Sequence, residues 1–288
     1  MEQKTMPWPT ESAEKPLLGP ELSVAGTTRS GRSGRSGRWI YYLVLPVVLL
    51  VIWWFCTDVL ALFPSALLPS PIRVAKAFGH VIADGELMLN IEDSLLRIFY
   101  ADLAALIIAV PIGLAMGLYQ SIERLLDGLL SLFRPIPPLA WVPLAILWFG
   151  IGTLSIVFIT FLSAFFSILV STVAGVRSLD KLHIRAALSL GASRRRVLTH
   201  VVLPTTLPSI FTGLRIAIGV SWMSIVGAEL IAASSGLGYM INYYQQVLRT
   251  DVVIVGMITI GVIGLGMDLL SRWVERRLLP WRQGARLP

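Results

Sequence analysis

The sequence is poor in charge. Of its 288 residues only 14% are Asp, Glu, Lys or Arg, while 55% are hydrophobic; a soluble domain carries about a quarter charged residues. That imbalance, a mean hydropathy of +0.75 and several apolar runs near the ~20 residues that cross a bilayer predict an all-α polytopic membrane protein. Cysteine occurs once, at Cys56, which excludes an intrachain disulfide and a cysteine metal site and leaves a packing role. There are four lysines, Lys4, Lys15, Lys76 and Lys181, and none follows a glycine, so the chain has no phosphate-binding GxxxxGK[ST] loop of its own. His80, His183 and His200 are scattered without ligand spacing, and neither GxSxG nor HExxH occurs. No catalytic or metal-ligating residue is assigned. The net charge of +7 does not point to nucleic acid, because the basic residues gather in loops on one side.

Residues 1–38 are polar and end in the repeat RSGRSGRSGR; without apolar periodicity they read as a disordered tail. Six spans follow, about 39–56, 95–118, 128–149, 154–176, 208–231 and 252–270. Together they make a membrane domain over 39–271, closed by a basic tail at 272–288. Trp39, Tyr41, Tyr42 and Trp53, Trp54, Phe55 flank the first span as interfacial aromatics. Within the connection 57–94, residues 72–83 read as a short amphipathic helix, and Tyr119–Asp127 as a polar turn. Arg177, Lys181, Arg185, Arg194, Arg195 and Arg196 face only Asp180 in the loop 177–207, and in the C-terminal tail Arg272, Arg276, Arg277, Arg282 and Arg286 face only Glu275. The positive-inside rule therefore predicts that this loop and both termini are cytoplasmic. The arginines of the repeat in residues 1–38 also predict contact with anionic membrane lipids.

The loop itself reads as structured. Asp180 is placed to cap a helix running to Leu190, Gly191 to end it in a left-handed conformation, and Ser193 to cap a second short helix. Pro204 and Pro208 mark the start of the next apolar run. Arg194, Arg195 and Arg196 fall in a first helical turn, where the macrodipole disfavours cations. Either anionic lipid or an acidic partner would offset that, or the arginines serve membrane orientation alone.

Arg185-Ala186-Ala187, Gly191 and Val201-Val202-Leu203-Pro204 resemble the signature of ABC importer permeases: EAA, three residues, Gly, nine residues, I-x-L-P. Arg185 replaces the Glu and Val201 the Ile. LLPSP at 67–71, RPIPPLAWVPLAILWFGIG at 134–152, LPSIFTGLRIAIG at 207–219 and AELIAASSGLGYMI at 228–241 are similar to the nitrate/sulfonate/taurine subfamily. IRAALSLGAS at 184–193 and RRLLPW at 276–281 resemble taurine permeases most. The resemblance implies the type I importer fold and an assembly of two permease copies, two cytoplasmic ATPases that carry ATP and Mg, and an external substrate-binding protein. It implies that Arg185, Ala186, Ala187, Leu190, Gly191, Ala192, Ser193, Leu203 and Pro204 form the element that couples the permease to the ATPase. No cofactor is expected on this chain. Gly191→Val is expected to clash at the helix stop and uncouple hydrolysis from uptake.

Arg215, Gly219, Trp222, Val226 and Glu229 share one face of the fifth span. One reading has this face line an anion path, with Arg215 as a positive group and Trp222 as a gate. The other has Arg215 snorkel to the inner interface and Glu229 sit in the outer one. Ser221 and Ser224 serve either the path or helix packing. Pro137, Trp141 and Trp148 in the third span line the cavity or pack against the fifth, and Asp102 pairs with Arg97 or with another chain. The substrate class implied is a sulfonate such as taurine, with nitrate as the alternative. A self-contained carrier or channel would call for mid-membrane carboxylates and usually more spans, and a scaffold would need no path.

Overall fold

The computed structural model describes residues 37–60, 62 and 64–278, with side chains from Val44 onward, Lys181 excepted. The tail expected over 1–38, the basic residues beyond Leu278 and the side chains of Trp39, Tyr41 and Tyr42 lie outside what is described. The chain divides into two units, Met1–Val47 and Val48–Pro288. Helix α1, Gly37–Trp54, crosses that boundary and passes into a π-helical turn, Phe55–Val59.

The second unit is all helical among the described residues. Helix α2, Pro71–Ala83, opens on a proline and buries Val74, Ala77 and Val81, one stripe at helical spacing. Next come α3, Glu86–Leu118, α4, Gln120–Phe133, and a 3₁₀ turn, Pro138–Trp141, leading into α5, Val142–Phe149. Helix α6 spans Thr153–Arg177, α7 Lys181–Ser189 and α8 Arg194–Val197, and a π-helical turn, Leu198–Val202, joins α8 to α9, Leu203–Ala232. The last two helices are α10, Leu237–Gln246, and α11, Thr250–Leu278.

Four runs are long and apolar enough to cross a membrane: α3, α6, the continuous helix Arg194–Ala232, and α11. A fifth arises if α4 and the helix Pro138–Phe149, bent by 81°, count together. The region of the first expected span holds a shorter apolar helix, Val44–Val59. Helix α6 is central. Half of its most apolar window is buried, against 22% for α11, and α3 and α9 pack along it. Contact is close because small residues meet there: a Cβ added at Gly213 on α9 would stand 2.6 Å from Ser171 Cβ on α6. In lipid, such packing and interhelical hydrogen bonds hold helices together in place of the hydrophobic effect.

Three sequence expectations change. The third span, expected over 128–149 with an interruption at its prolines, does break at 134–137, ahead of Pro138, but its first helix starts at Gln120 and not at 128. The polar turn expected at Tyr119–Asp127 shrinks to Tyr119, since α4 begins at Gln120. Ile122, Leu126 and Leu130 recur at i, i+4 and i+8 and pack on the buried cluster of Ala105, Ala109 and Ile168, so the turn's polar residues are the outer face of an amphipathic helix. Pro208 does not start a helix but lies inside α9. The π-helical turn before it admits Pro204, because the Leu203 amide reaches back to Leu198 O.

Candidate coupling loop and transmembrane network

The loop between α6 and α9 is built from local hydrogen bonds. Asp180 Oδ1 accepts from the Leu182 amide at 2.8 Å and fixes the start of α7. At the other end Gly191 has φ 83°, and its amide donates to Leu188 O at 3.0 Å while the Ala192 amide donates to Ala187 O at 3.1 Å. This bond pair is a Schellman stop, whose left-handed position favours glycine. Ser193 Oγ then accepts from the Arg196 amide at 3.3 Å.

Packing fixes the loop to the membrane helices. Val176, Val197 and Val202 form a buried cluster, flanked by Leu114 and Leu118 of α3 and by Ile184, Ala187 and Ala192 of the loop. Arg177 at the end of α6 pairs with Glu123 of α4. The opposite edge of α7 is bare: Arg185 and Ala186 are exposed, and Leu190 is 87% exposed. Of the residues expected to couple, Ala187, Ala192 and Leu203 are half-buried; Gly191, Ser193 and Pro204 are exposed. The expected clash at Gly191 is corrected, because an added Cβ meets nothing within 4 Å. Its cost is conformational.

The α9 stripe contacts several neighbouring helices. Arg215 is half-exposed and lies 3.4 Å from Glu275 of α11. Trp222 is held against α11: its indole Nε1 donates to Ile260 O at 3.1 Å, and its ring packs against Gly264. Ser224 Oγ bonds Ser163 of α6 at 2.7 Å, and Ser221 Oγ donates to Asp102 Oδ1 of α3 at 2.6 Å. Both serines therefore tie helices together, and Asp102 pairs with neither Arg97 nor any other basic side chain described. Pro137 is exposed, Trp141 leans on Phe133 with ring centroids 5.8 Å apart, and Trp148 makes edge contacts with Phe149 and Phe158.

Glu229 is corrected most. It is 1% exposed, so its carboxylate is enclosed by protein and does not face water or an open path. It lies at the end of α9 far from the coupling loop, about 40 Å along the helix. Arg97 Nη1 donates to its Oε1 at 2.7 Å, Ser94 Oγ contacts both oxygens at 2.9 Å, and the Gly238 amide donates to Oε2 at 2.9 Å. Arg97 also donates to Ser235 O and Ser235 Oγ, each at 2.7 Å. Asn90 Oδ1 accepts from the Gly236 amide at 2.8 Å, and Ser94 Oγ from the Leu237 amide at 3.0 Å. The free amides that open α10 thus end on α3 and α9, and a carboxylate sits where the helix dipole favours it. Gly236, at φ 109°, passes directly over the Glu229 carboxylate, which leaves no room for a Cβ. The sequence reading missed Asn90, Ser94 and Ser235 and misassigned Arg97; the signal was a lone Arg and a lone Glu in apolar helices, which partner each other across a bundle.

Tyr244 of α10 completes the clamp by donating to Glu86 Oε2 at 2.7 Å. Burial, and then the Glu86 carboxylate, push its phenol from 10.0 up to about 12. A raised phenol stabilises the fold while neutral, so this contribution is complete below pH 10.0 and is lost as pH climbs towards about 12. Tyr244→Phe is expected to cost about 1 kcal/mol at neutral pH and to flatten the alkaline limb of an unfolding titration. An unchanged limb would remove Tyr244 from this role.

Residues 107–280 match the family described as binding-protein-dependent transport system inner membrane component. The taurine transport system permease protein TauC of Escherichia coli strain K12 is 43% identical over 81% of this chain and 86% of its own length. The aliphatic sulfonates transport permease protein SsuC of Bacillus subtilis strain 168, a putative assignment by its own name, is 34% identical over 85% of this chain and 88% of its own. A chain from inward-facing structures of the MetNI methionine ABC transporter aligns at TM-score 0.57 and 15% identity, covering 68% of this chain and 97% of its own, which establishes a shared fold. The chain belongs to the inner-membrane permease family of binding-protein-dependent ABC transporters.

Proposed function

We propose that this chain is the transmembrane subunit of an ATP-driven importer for a small sulfonate, taurine foremost, working as a pair of permease copies with two ATPases and an external binding protein. The observation that carries the coupling role is the loop. One edge of α7 and its cap, with Arg185, Ala186 and Leu190, is presented to solvent, while Ile184 and Ala187 pack on the Val176–Val197–Val202 cluster at the end of α6, which Leu114 and Leu118 of α3 flank. A push on that edge is transmitted to the helices because packed interfaces shift between discrete arrangements instead of deforming continuously. ATP and Mg act on the partner ATPase. The substrate class rests on the likeness to taurine and sulfonate permeases. The loop charge supports cytoplasmic termini, and α1 with the bent pair completes six crossings.

The clamp at the far end constrains how access alternates. Arg97 and Glu229 join α3 to α9 there, so these helices move as one body, and opening occurs against the second copy. The test is ATP hydrolysis by the reconstituted complex with its binding protein. Taurine is expected to stimulate most, other alkanesulfonates less and nitrate least. Stimulation by nitrate alone would overturn the substrate class, and solute movement by the isolated chain in liposomes would overturn the ATP-driven reading.

A further inference from the structure

A groove of about 740 Å³ separates the inner end of α3 from the coupling loop, within the ~300–1,000 Å³ range of ligand sites. Pro111, Leu114 and Leu118 of α3 form one wall, and Leu188 of α7 stands opposite. Arg194 and Arg195 lie at its loop side, and no acidic side chain lines it. Both arginines are exposed, and neither has an ion pair among the described residues. The groove therefore has two free guanidinium groups at one end and an apolar floor at the other.

We propose that this groove binds an anionic diacyl phospholipid, the phosphate on Arg194 and Arg195 and an acyl chain along Pro111, Leu114 and Leu118. Reach decides between a lipid and a protein occupant. Pro111 lies seven residues from the end of α3, or about 10 Å up the helix. A cytosolic protein segment that followed it would carry unsatisfied backbone groups into an apolar wall, at several kcal/mol each, whereas an acyl chain has none. Bidentate guanidinium suits phosphate oxygens, and basic pockets beside membrane helices favour acidic headgroups. The bound lipid would neutralise the cations that sit at an unfavourable helix end. It would also wedge α7 against α3, so the stiffness of the coupling element would follow membrane composition. The site rests on the reading that this loop lies at a membrane face, and not on the substrate.

The test titrates the purified full-length chain in detergent with phosphatidylglycerol and with phosphatidylcholine of the same acyl chains, read by native mass spectrometry. Wild type is expected to retain phosphatidylglycerol preferentially. Arg194→Gln with Arg195→Gln should weaken it roughly 30-fold, a factor of about five per arginine. Arg194→Lys with Arg195→Lys should keep most binding. Leu114→Trp, which fills the groove with both arginines intact, should abolish retention and covers the case in which the glutamine variant fails to fold. Inorganic phosphate should not compete. Competition by phosphate would show an anion site without lipid, and unchanged retention in both the glutamine and the Leu114→Trp variants would overturn the groove. Loss of ATPase co-purification with unchanged lipid retention would assign the arginines to the partner instead. Each of these three outcomes refutes the proposal.

Discussion

Glu229→Ala should destabilise the chain by roughly 3–5 kcal/mol, the largest effect expected of any single substitution outside the helix-crossing glycines. The carboxylate accepts from Arg97, Ser94 and the Gly238 amide. Removing it leaves a buried guanidinium without its counter-charge and an amide without an acceptor. Arg97→Ala should cost a similar amount, since Ser235 then loses both its contacts and Glu229 is left charged and buried. The double replacement Arg97→Met with Glu229→Met should be milder than the sum of the singles, because an ion pair removed as a unit strands no charge. The measurement is thermal unfolding of the purified protein, with proteolysis of the 233–236 segment as a local probe. Strict additivity would mean that the two residues stabilise the structure independently and that no clamp exists.

The membrane helices were legible because hydropathy reports them directly: α6 matches its expected span within a residue at each end. The loop between α6 and α9 was legible for a different reason. Its caps are local, so Asp180, Gly191 and Ser193 could be placed from neighbours two to four residues away. Contacts between distant residues were not legible. Ser94 and Arg97 meet Glu229 across 135 and 132 positions, and Ser235 meets Arg97 across 138, and no local pattern encodes that choice of partner. Trp222 shows the same limit from the other side: helical spacing put it on a polar-aromatic stripe, but only the approach of α11, with Gly264 beside the indole, determines that the stripe is buried there. Helix α10 was missed because ten residues carry too little apolar periodicity to stand out. It exists because the clamp satisfies its first amides.

Gly191 is where local backbone preference and function are expected to meet, and a substitution series separates two explanations. Its φ of 83° costs a residue with a Cβ roughly 1–2 kcal/mol, while Asn tolerates it better through its short polar side chain. Nothing lies within 4 Å of an added Cβ, so size is not penalised. Uptake by the assembled transporter should therefore fall in the order Gly, Asn, Ala, Val, with Ala lowering the population of the native turn about five- to thirtyfold and the β-branched Val more. A clash would give another order, with Ala milder than the larger Asn. Under the proposed coupling role ATP hydrolysis should persist, because the turn would carry force and perform no chemistry. Relaxing the turn would let α7 rotate away from the Val176–Val197–Val202 cluster, so that movement of its exposed edge no longer reaches α3 and α6. If hydrolysis and uptake fell together in proportion across the series, Gly191 would serve assembly and not coupling; if uptake ignored the series, the turn would not transmit force at all.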